Sequence, residues 1–282
     1  MKTGLVMEGG AMRGLFTAGI IDVLMENNIE FDMAVGVSAG AAFGCNYKSR
    51  QIGRVIRYNK RFAKNWHYRS FRSLLVTGDL YGGDFCYHEL PEELDKFDYD
   101  EYRNNPMEFY AVVTDMETGK PLYKSLPQCD YNELEWMRAS ASMPLASKVV
   151  KVDGHALLDG GISDSIPLEF AEKQGCDKTL VILTQPIDYV KHEYKIMPII
   201  KMALHKYPNT VKTIANRHEM YNAQTAYVKV RESEGTAFVL RPPRALGVSA
   251  LENDPDKLQE VYDLGREVAI NNLPKIIDFF KN

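Results

Sequence analysis

The sequence predicts an α/β fold with a mainly parallel central sheet, followed by a mostly helical C-terminal extension. Two observations support this prediction. Strand-like and helix-like segments alternate within the first fifty residues, which is typical of a parallel α/β sheet. Beyond Pro186 the pattern is mostly helical, with one strand-like piece. We therefore expect an α/β domain over 3–186 and a mostly helical subdomain, packed on that domain, over 187–282.

The elements of the α/β unit follow from short apolar runs and from residues at helical spacing. Residues 3–8 form an apolar run that ends at two glycines, which is typical of a buried strand. A 3–4 spacing then predicts a helix that ends near Asn27, and 33–37 is again strand-like. Small residues over 39–42 favour a helix packed closely on the sheet. Further strands are expected near 108–114, 121–124, 148–152, 155–158, 179–184 and 236–240, and further helices near 131–140, from Leu168, and over 197–232 and 255–281.

Composition and charge exclude several classes of protein. Hydrophobic residues make up 45% and charged residues 26% of the 282 residues, as in ordinary soluble globular proteins. The net charge of −4 gives no general bias toward nucleic acid, so no nucleic-acid partner is expected. No apolar stretch is long enough for a signal peptide or a spanning helix. The four cysteines are far apart in the sequence, so we expect free thiols and a reducing compartment. We expect a cytoplasmic protein.

The middle of the chain is segregated by charge. Residues 48–72 contain nine Lys or Arg and no acidic residue, whereas 79–108 contain ten Asp or Glu and two basic residues. Within the basic stretch, 50–66 predicts an amphipathic helix with an apolar and a basic face. Such a helix can bind an anionic membrane, which would bring the protein to the inner membrane surface as a peripheral protein. Alternatively, its apolar face packs on the core and its basic face meets the acidic stretch.

The clearest candidate for chemistry is the pentapeptide Gly36-Val37-Ser38-Ala39-Gly40, which follows a strand and opens a helix. In this context the G-x-S-x-G pattern is typical of a nucleophile elbow, where a serine on a tight turn projects its hydroxyl clear of the backbone. Small neighbours are needed because the turn is crowded, and the helix N-terminus behind it favours negative charge. The alternative is a chance match in a glycine-rich turn.

A second glycine-rich loop, GGAMRG from Gly9 to Gly14, also joins a strand to a helix. It departs from the dinucleotide fingerprint because Ala11 stands at the second glycine, and from the P-loop because Leu15 stands where that motif has lysine. The remaining interpretation is a loop whose backbone N–H groups bind a developing oxyanion. Neighbouring parallel strands would bring this loop and Ser38 to the same edge of the sheet.

A base for the serine is expected from Asp159 rather than from a histidine. The six histidines stand in no motif-like context, so each is more easily explained as a surface or satisfied core residue. Asp159 comes directly after an apolar strand and before Gly160 and Gly161, where little would crowd its carboxylate. The alternative is a plain type I′ or II′ turn, for which Asp-Gly is a favoured pair.

Taken in this order, the three motifs resemble those of the patatin-like phospholipase family of lipid acyl hydrolases. The motifs are GGAMRG from Gly9, GVSAG from Gly36 and DGG from Asp159. The stretch RASASMP over 138–144 also resembles the family's A-S-x-x-x-P segment. The resemblance covers about residues 3–186 and implies a three-layer α/β/α sandwich. Ala11 stands where many members have a third glycine, but it keeps its N–H.

The resemblance implies a serine lipid acyl hydrolase of the phospholipase A, lysophospholipase or esterase type. Ser38 would attack the ester of a lipid substrate and Asp159 would take the proton, with no metal or other cofactor. The oxyanion hole is assigned to Gly9, Gly10, Ala11, Arg13 and Gly14, the elbow to Gly36, Val37, Ala39 and Gly40, and the turn after the base to Gly160 and Gly161. Two alternatives stay open, namely a non-catalytic lipid- or protein-binding scaffold and an acyltransferase that uses the same Ser–Asp dyad.

Overall fold

One mixed sheet of eight strands organises the chain. The computed structural model describes residues 1–281. The strands are β1 (Lys2–Met7), β2 (Met33–Val37), β3 (Glu108–Asp115), β4 (Pro121–Ser125), β5 (Val150–Val152), β6 (His155–Asp159), β7 (Cys176–Ile182) and β8 (Ala237–Leu240). The helices are α1 (Gly14–Glu26), α2 (Ala39–Lys48), α3 (Arg54–Arg61), α4 (Phe71–Thr77), α5 (Tyr99–Asn104), α6 (Tyr131–Ser140), α7 (Leu168–Lys173), α8 (Met197–Ala203), α9 (Pro208–Ala215), α10 (Arg217–Ser233) and α11 (Pro255–Lys281). Short 3-10 turns lie at Ala11–Arg13 and Gly160–Ile162, and a π-helical segment spans Phe85–Leu94.

The sheet is mainly parallel, as the sequence predicts. Its strand order is β5-β6-β3-β2-β1-β7-β8, with β4 as an additional partner of β3. The strands β3, β2, β1, β7 and β8 pair in parallel, whereas β4, β5 and β6 join by antiparallel pairing. The register sets Val37 opposite Val112, and Val113 opposite Asp159. Strand β3 therefore lies between the end of β2, where Ser38 follows, and the end of β6.

Helices cover both faces of the sheet. Successive residues of a strand point to opposite faces, so an apolar strand needs packing partners on both sides. Leu5 and Met7 of β1 belong to the apolar cluster that contains residues of α1, α2 and α11. Val6 belongs to a second cluster, with residues of α7 and α10. On the first face α11 lies against α1, where the Tyr262 hydroxyl donates to Asp22 at 2.6 Å. The expected three-layer α/β/α arrangement is confirmed.

The region after residue 186 joins this sheet as well as covering it. Strand β8 pairs with β7 and extends the parallel part of the sheet by one strand. The helical stretch expected over 197–232 consists of α8, α9 and α10, and a proline starts α9. The division into domains at 186 stays a prediction, since the two predicted parts share one sheet.

The basic stretch 50–66 forms a shorter helix than the sequence predicts. Helix α3 covers only Arg54–Arg61, and turns follow it up to residue 64. Its apolar residues Val55 and Ile56 are buried in the main core rather than exposed. The sequence pattern was correct about an amphipathic helix, but wrong about its length. Helices α4 and α5 and the π-helical segment were not expected from the sequence.

The basic side chains of α3 mostly meet the acidic stretch of the same chain. The guanidinium of Arg54 is buried, and its Nε lies 3.3 Å from Oδ1 of Asp95. Nη2 of Arg57 lies 2.8 Å from the same oxygen. Arg61 donates to the carbonyl of Leu94 at 2.6 Å. These contacts correspond to the alternative in which the helix pairs internally.

Removing the Arg54 side chain is expected to destabilise the fold. In Arg54→Met the buried Asp95 carboxylate keeps only Arg57, so we expect a loss of about 3 kcal/mol in the free energy of unfolding, the low end for a broken buried pair. Arg61→Met is the matched control, and its exposed side chain predicts a change within about 0.5 kcal/mol. Urea denaturation of both variants measures the difference. Equal stabilities, together with loss of binding to anionic vesicles in Arg54→Met, would instead favour the membrane interpretation of 50–66.

Candidate active site

Ser38 occupies a strained turn between β2 and α2. Its backbone has φ 54° and ψ −124°, a conformation that non-glycine residues rarely adopt and that is typical of a nucleophile elbow. The turn is packed so closely that its glycines cannot carry side chains. A Cβ on Gly40 would lie 2.3 Å from the carbonyl oxygen of Met7, and one on Gly36 would lie 2.5 Å from the nitrogen of Ala41. The two glycines therefore allow the turn, and Ser38 lines a cavity.

Ser140 fixes the elbow from behind. This serine ends α6 and is fully buried. Its Oγ accepts a hydrogen bond from the Ser38 backbone N–H at 3.0 Å and donates to the carbonyl of Val112 at 2.6 Å. Two residues further on, the carbonyl of Ser142 accepts from the Asp159 N–H at 2.8 Å. The RASASMP stretch thus joins the turn that carries Ser38 to the strand that carries Asp159.

The glycine loop after β1 lies against the elbow. A Cβ on Gly9 would be 2.7 Å from the Val37 carbonyl oxygen, so backbone meets backbone here. Ala11 has φ 48°, and no hydrogen bond within residues 1–281 uses the N–H of Gly10 or Ala11. Gly9, Gly10 and Ala11 line the same cavity as Ser38. The loop therefore presents free backbone donors beside the serine.

The carboxyl group of Asp159, at the end of β6, is buried and only half satisfied. Its Oδ1 accepts from the Gly161 N–H at 2.8 Å, whereas its Oδ2 has no hydrogen-bond partner within residues 1–281. Burial raises the pKa of Asp159 to about 6, against the smaller opposing effects of the Arg217 guanidinium, the Ser38 hydroxyl and the Gly161 N–H. The Ser38 hydroxyl is thus near the carboxyl, although it does not meet hydrogen-bond geometry.

The residues expected at the site divide into two groups, those that line the cavity and those that pack behind it. Val37, Ala39, Arg13 and Gly161 line the cavity together with the groups above. Gly14 instead begins α1, where an added Cβ would be 2.9 Å from the Ala39 methyl and from the Phe43 ring. The remaining glycines of the motifs, Gly36, Gly40 and Gly160, pack against neighbouring backbone. Gly14 therefore acts through packing and offers no donor to the cavity.

A cavity of about 430 Å³ opens at these groups and is lined largely by apolar and aromatic side chains. This volume lies in the range of small-molecule sites. The apolar lining comes from α2, α3, the π-helical segment, the residues just before α5, and α6. It includes Phe43, Tyr58, Tyr87, Leu90, Phe97, Leu134 and Met137. None of the six histidines lines the cavity within residues 1–281. The arrangement thus combines a serine, a carboxyl with a free oxygen, free N–H donors and an apolar chamber.

Sequence reasoning missed a polar group at this cavity. Lys191, Tyr194 and Arg217 line it, and all three come from the region after 186. Arg217 donates from Nε to the carbonyl of Gly161 and from Nη1 to the hydroxyl of Tyr194. No spacing or motif connects these residues to Ser38 or Asp159 in the sequence, so only the folded chain brings them together.

The chain is similar over most of its length to curated proteins. It is 29% identical to the uncharacterized protein YjjU of Escherichia coli, over 94% of this chain and 75% of that protein. It is 26% identical to the lysophospholipase NTE1 of Candida glabrata, over 94% of this chain but 16% of that protein. It is also 26% identical to the lysophospholipase nte1 of Aspergillus oryzae, over 66% of this chain and 12% of that protein. The chain thus spans only a small part of the lysophospholipases that it matches.

The chain also matches one solved structure and two family models. The structure of VipD from Legionella pneumophila aligns with a TM-score of 0.48 and 12% identity, covering 97% of this chain and 67% of VipD. A domain of unknown function, DUF6363, matches residues 207–281. The model of the patatin-like phospholipase family matches residues 5–172, which is more than half of the chain. The chain that carries this serine, glycine loop and aspartate therefore belongs to the patatin-like phospholipase family.

Proposed function

We propose that this protein is a serine lipid acyl hydrolase that cleaves carboxylic esters through Ser38 and Asp159. The observation that carries the proposal is the free Oδ2 of Asp159, a buried carboxylate oxygen without a partner beside a serine on a strained turn. A structural aspartate in a turn would have both oxygens satisfied, since an unpartnered buried polar atom is costly. A proton acceptor needs one oxygen free.

The reaction would proceed through an acyl-enzyme. Ser38 Oγ attacks the ester carbonyl while its proton passes to Asp159, and the proton then goes to the departing alcohol as the ester C–O bond breaks. Water attacks the acyl-enzyme and gives its proton to Asp159, which passes it to Ser38 Oγ as the acyl C–O bond breaks and the fatty acid leaves. A pKa of about 6 keeps Asp159 mostly ionised at pH 7, yet makes it a better base than an exposed aspartate.

The free N–H groups of Gly10 and Ala11 are the proposed oxyanion donors. They come from the loop that meets the elbow, and the dipole of α2 adds positive potential at the same place. Arg13 lines the cavity and contributes charge, although its Nε is buried without a hydrogen-bond partner within residues 1–281.

Family membership and the likeness to lysophospholipases support a lipid ester as substrate. The apolar chamber beside Ser38 suits an acyl chain, since burying each CH₂ group contributes about 0.8 kcal/mol. A non-catalytic scaffold is disfavoured by the intact pair of Ser38 and Asp159. An acyltransferase would use the same dyad, with an alcohol in place of water.

Labelling and turnover together test the proposal. A fluorophosphonate probe should modify Ser38, as shown by peptide mapping, and the protein should release fatty acid from lysophospholipids and from p-nitrophenyl esters. Added glycerol should leave the fatty-acid yield unchanged for a hydrolase, but divert the acyl group into acylglycerol for an acyltransferase. Absence of labelling and of turnover on every ester tried would leave only the scaffold interpretation.

A location in the cytoplasm and peripheral contact with the inner membrane surface stay predictions. Within residues 1–281 no helix has the length and apolarity needed to cross a bilayer. The contacts of Arg54 and Arg57 with Asp95 leave less of the 50–66 stretch available for lipid than its sequence indicates.

Gly10→Ala is expected to slow ester cleavage by about 100-fold, the effect of losing one oxyanion donor. The added Cβ would lie 2.8 Å from Thr184 Oγ1 and 3.2 Å from the Arg13 side chain, so the loop and its N–H must move. Turnover of an uncharged short-chain ester measures the loss, and thermal melting should show little change. The double variant Gly10→Ala/Thr184→Ala removes the closest contact and should recover part of the rate. No recovery and a matching loss of stability would make Gly10 a folding residue only.

A further inference from the structure

Three cationic side chains of the cavity have no carboxylate in ion-pair contact. They are Arg13, Lys191 and Arg217, and each lines the cavity that contains Ser38. None of them forms an ion pair within 4.0 Å in residues 1–281. Other basic residues on the cavity wall are paired, as Arg54 is with Asp95 and Arg138 with Glu135. Unpaired cations in a partly buried site indicate that an anion belongs there.

Lys191 and Arg217 are held in place rather than loosely exposed. The Asn222 side chain accepts from the Lys191 N–H at 2.9 Å and donates to the Lys191 carbonyl at 3.0 Å, which fixes the backbone. The Lys191 ammonium lies 4.4 Å from the centroid of the Tyr221 ring. Arg217 is anchored by its bonds to the carbonyl of Gly161 and to Tyr194. The site is therefore built by α10 and the segment before α8.

The Glu8 carboxylate interacts electrostatically with Arg13 and Lys191, but it already has hydrogen-bond partners of its own. Glu8 accepts from the Tyr221 hydroxyl at 2.8 Å and from the Thr184 N–H at 2.6 Å. Burial, helped by the Arg217 and Arg13 guanidiniums and opposed by Glu8, lowers the pKa of Lys191 to about 8. Three cations thus share this side of the cavity with Glu8 and Asp159, and neither carboxylate comes within 4.0 Å of any of them.

The cationic group is also adjacent to the proposed reaction centre. The position that a Cβ would take on Gly161 lies 3.1 Å from Arg217 Nη2 and 3.1 Å from Asp159 Oδ1. The guanidinium and the carboxyl therefore face each other across one small gap. An anion bound by Arg217 and Lys191 would belong to the same molecule whose ester reaches Ser38.

We propose that Lys191 and Arg217, together with Arg13, form a subsite for the phosphate group of the lipid substrate. This proposal rests on the proposed function and specifies its substrate as an ester with a phosphate close to the scissile bond and one acyl chain in the apolar chamber. Arginine and lysine are the usual phosphate ligands, and charge-assisted hydrogen bonds are the strong ones. Lys191 and Arg217 come from outside the segment that matches the patatin family, so the C-terminal region supplies this selectivity.

The test compares two esters with the same acyl chain, lysophosphatidylglycerol and monoacylglycerol, in monomeric solution. We expect Lys191→Met to lower the ratio of their kcat/KM values about tenfold, the effect of one lost charge-assisted contact. Lys195→Met, which removes an exposed lysine four residues away, should leave the ratio unchanged. Lys191→Arg should restore most of the ratio. An unchanged ratio in Lys191→Met would overturn the proposal.

A binding experiment separates this proposal from the proposed function. If wild-type protein hydrolyses neither ester, the hydrolase proposal fails. The subsite would still be supported if the Ser38→Ala protein binds lysophosphatidylglycerol and Lys191→Met weakens that binding about tenfold. Inorganic phosphate is the second ligand tested. Lys191→Met could weaken phosphate binding but change neither the kcat/KM ratio nor the binding of lysophosphatidylglycerol. That result would assign the cations to free phosphate and refute the lipid subsite.

Discussion

Ser38→Ala is expected to abolish ester hydrolysis and covalent labelling by fluorophosphonate. The side-chain oxygen at this position would form the acyl-enzyme, and loss of the nucleophile costs roughly 10⁴–10⁶-fold in serine hydrolases. The fold should persist, because the elbow is held through the Ser38 backbone N–H and its glycines rather than through the Ser38 hydroxyl. Burst kinetics with a p-nitrophenyl ester and a thermal melt measure the two effects separately.

A second serine of the same cavity provides the control. Ser147 lines the cavity, and Ser147→Ala should keep both labelling and turnover. Ser140→Ala should show an intermediate effect, since it removes the acceptor of the Ser38 N–H but leaves the hydroxyl in place. Labelling that survives in Ser38→Ala and disappears in Ser147→Ala would transfer the nucleophile to Ser147.

The meeting of Ser38 and the glycine loop could be predicted because it depends on local rules. Each motif follows an apolar strand, and parallel strands bring their carboxyl ends to one edge of the sheet. The register, with Val37 opposite Val112 and Val113 opposite Asp159, brings these ends together through β3. The antiparallel pairing of β6 with β3 could not be predicted from the sequence, yet it places Asp159 at the same edge of the sheet.

The 50–66 stretch allows two interpretations from sequence alone because the partner of its basic residues is distant in sequence. A stripe of apolar and basic residues looks the same whether its apolar face meets lipid or protein. What decides is Asp95, which is 41 residues from Arg54 and makes burial of the guanidinium tolerable. The short helices α4 and α5, of seven and six residues, are too short to show an apolar period in the sequence.

The cationic side of the cavity was unpredictable for a similar reason. Lys191 precedes α8 in an irregular segment, and Arg217 begins α10 in a stretch whose pattern indicates only a helix. Their presence at the cavity of Asp159 depends on how the C-terminal region packs on the sheet. Motifs identify groups that share a local turn, whereas groups assembled from distant segments appear only in the folded chain.

Asp159→Asn is expected to lower kcat by roughly 10²–10⁴-fold, the usual contribution of a general base. Asparagine keeps the oxygen that accepts from the Gly161 N–H, but cannot take the proton of Ser38. In the wild type, kcat/KM for an uncharged ester should fall as the pH drops through about 6, because Asp159 must be ionised to act. The residual kcat/KM of the variant should not fall as the pH drops through about 6.

The same substitution should stabilise the folded protein at neutral pH, which separates a catalytic aspartate from a structural one. The folded-state pKa of Asp159, about 6, lies above the ordinary value of 3.8, so the folded state binds the proton more tightly than the unfolded chain. Burying the ionised carboxyl therefore costs stability as the pH rises from about 4 to 6, by up to about 3 kcal/mol, and the full cost remains above pH 6. Asparagine carries no charge, so the variant should be more stable than the wild type above pH 6, and this advantage should fade toward pH 4. Urea denaturation at pH 4, 6 and 8 measures it. A variant that is less stable at every pH and keeps its activity would make Asp159 a turn residue, and the proton would need another acceptor.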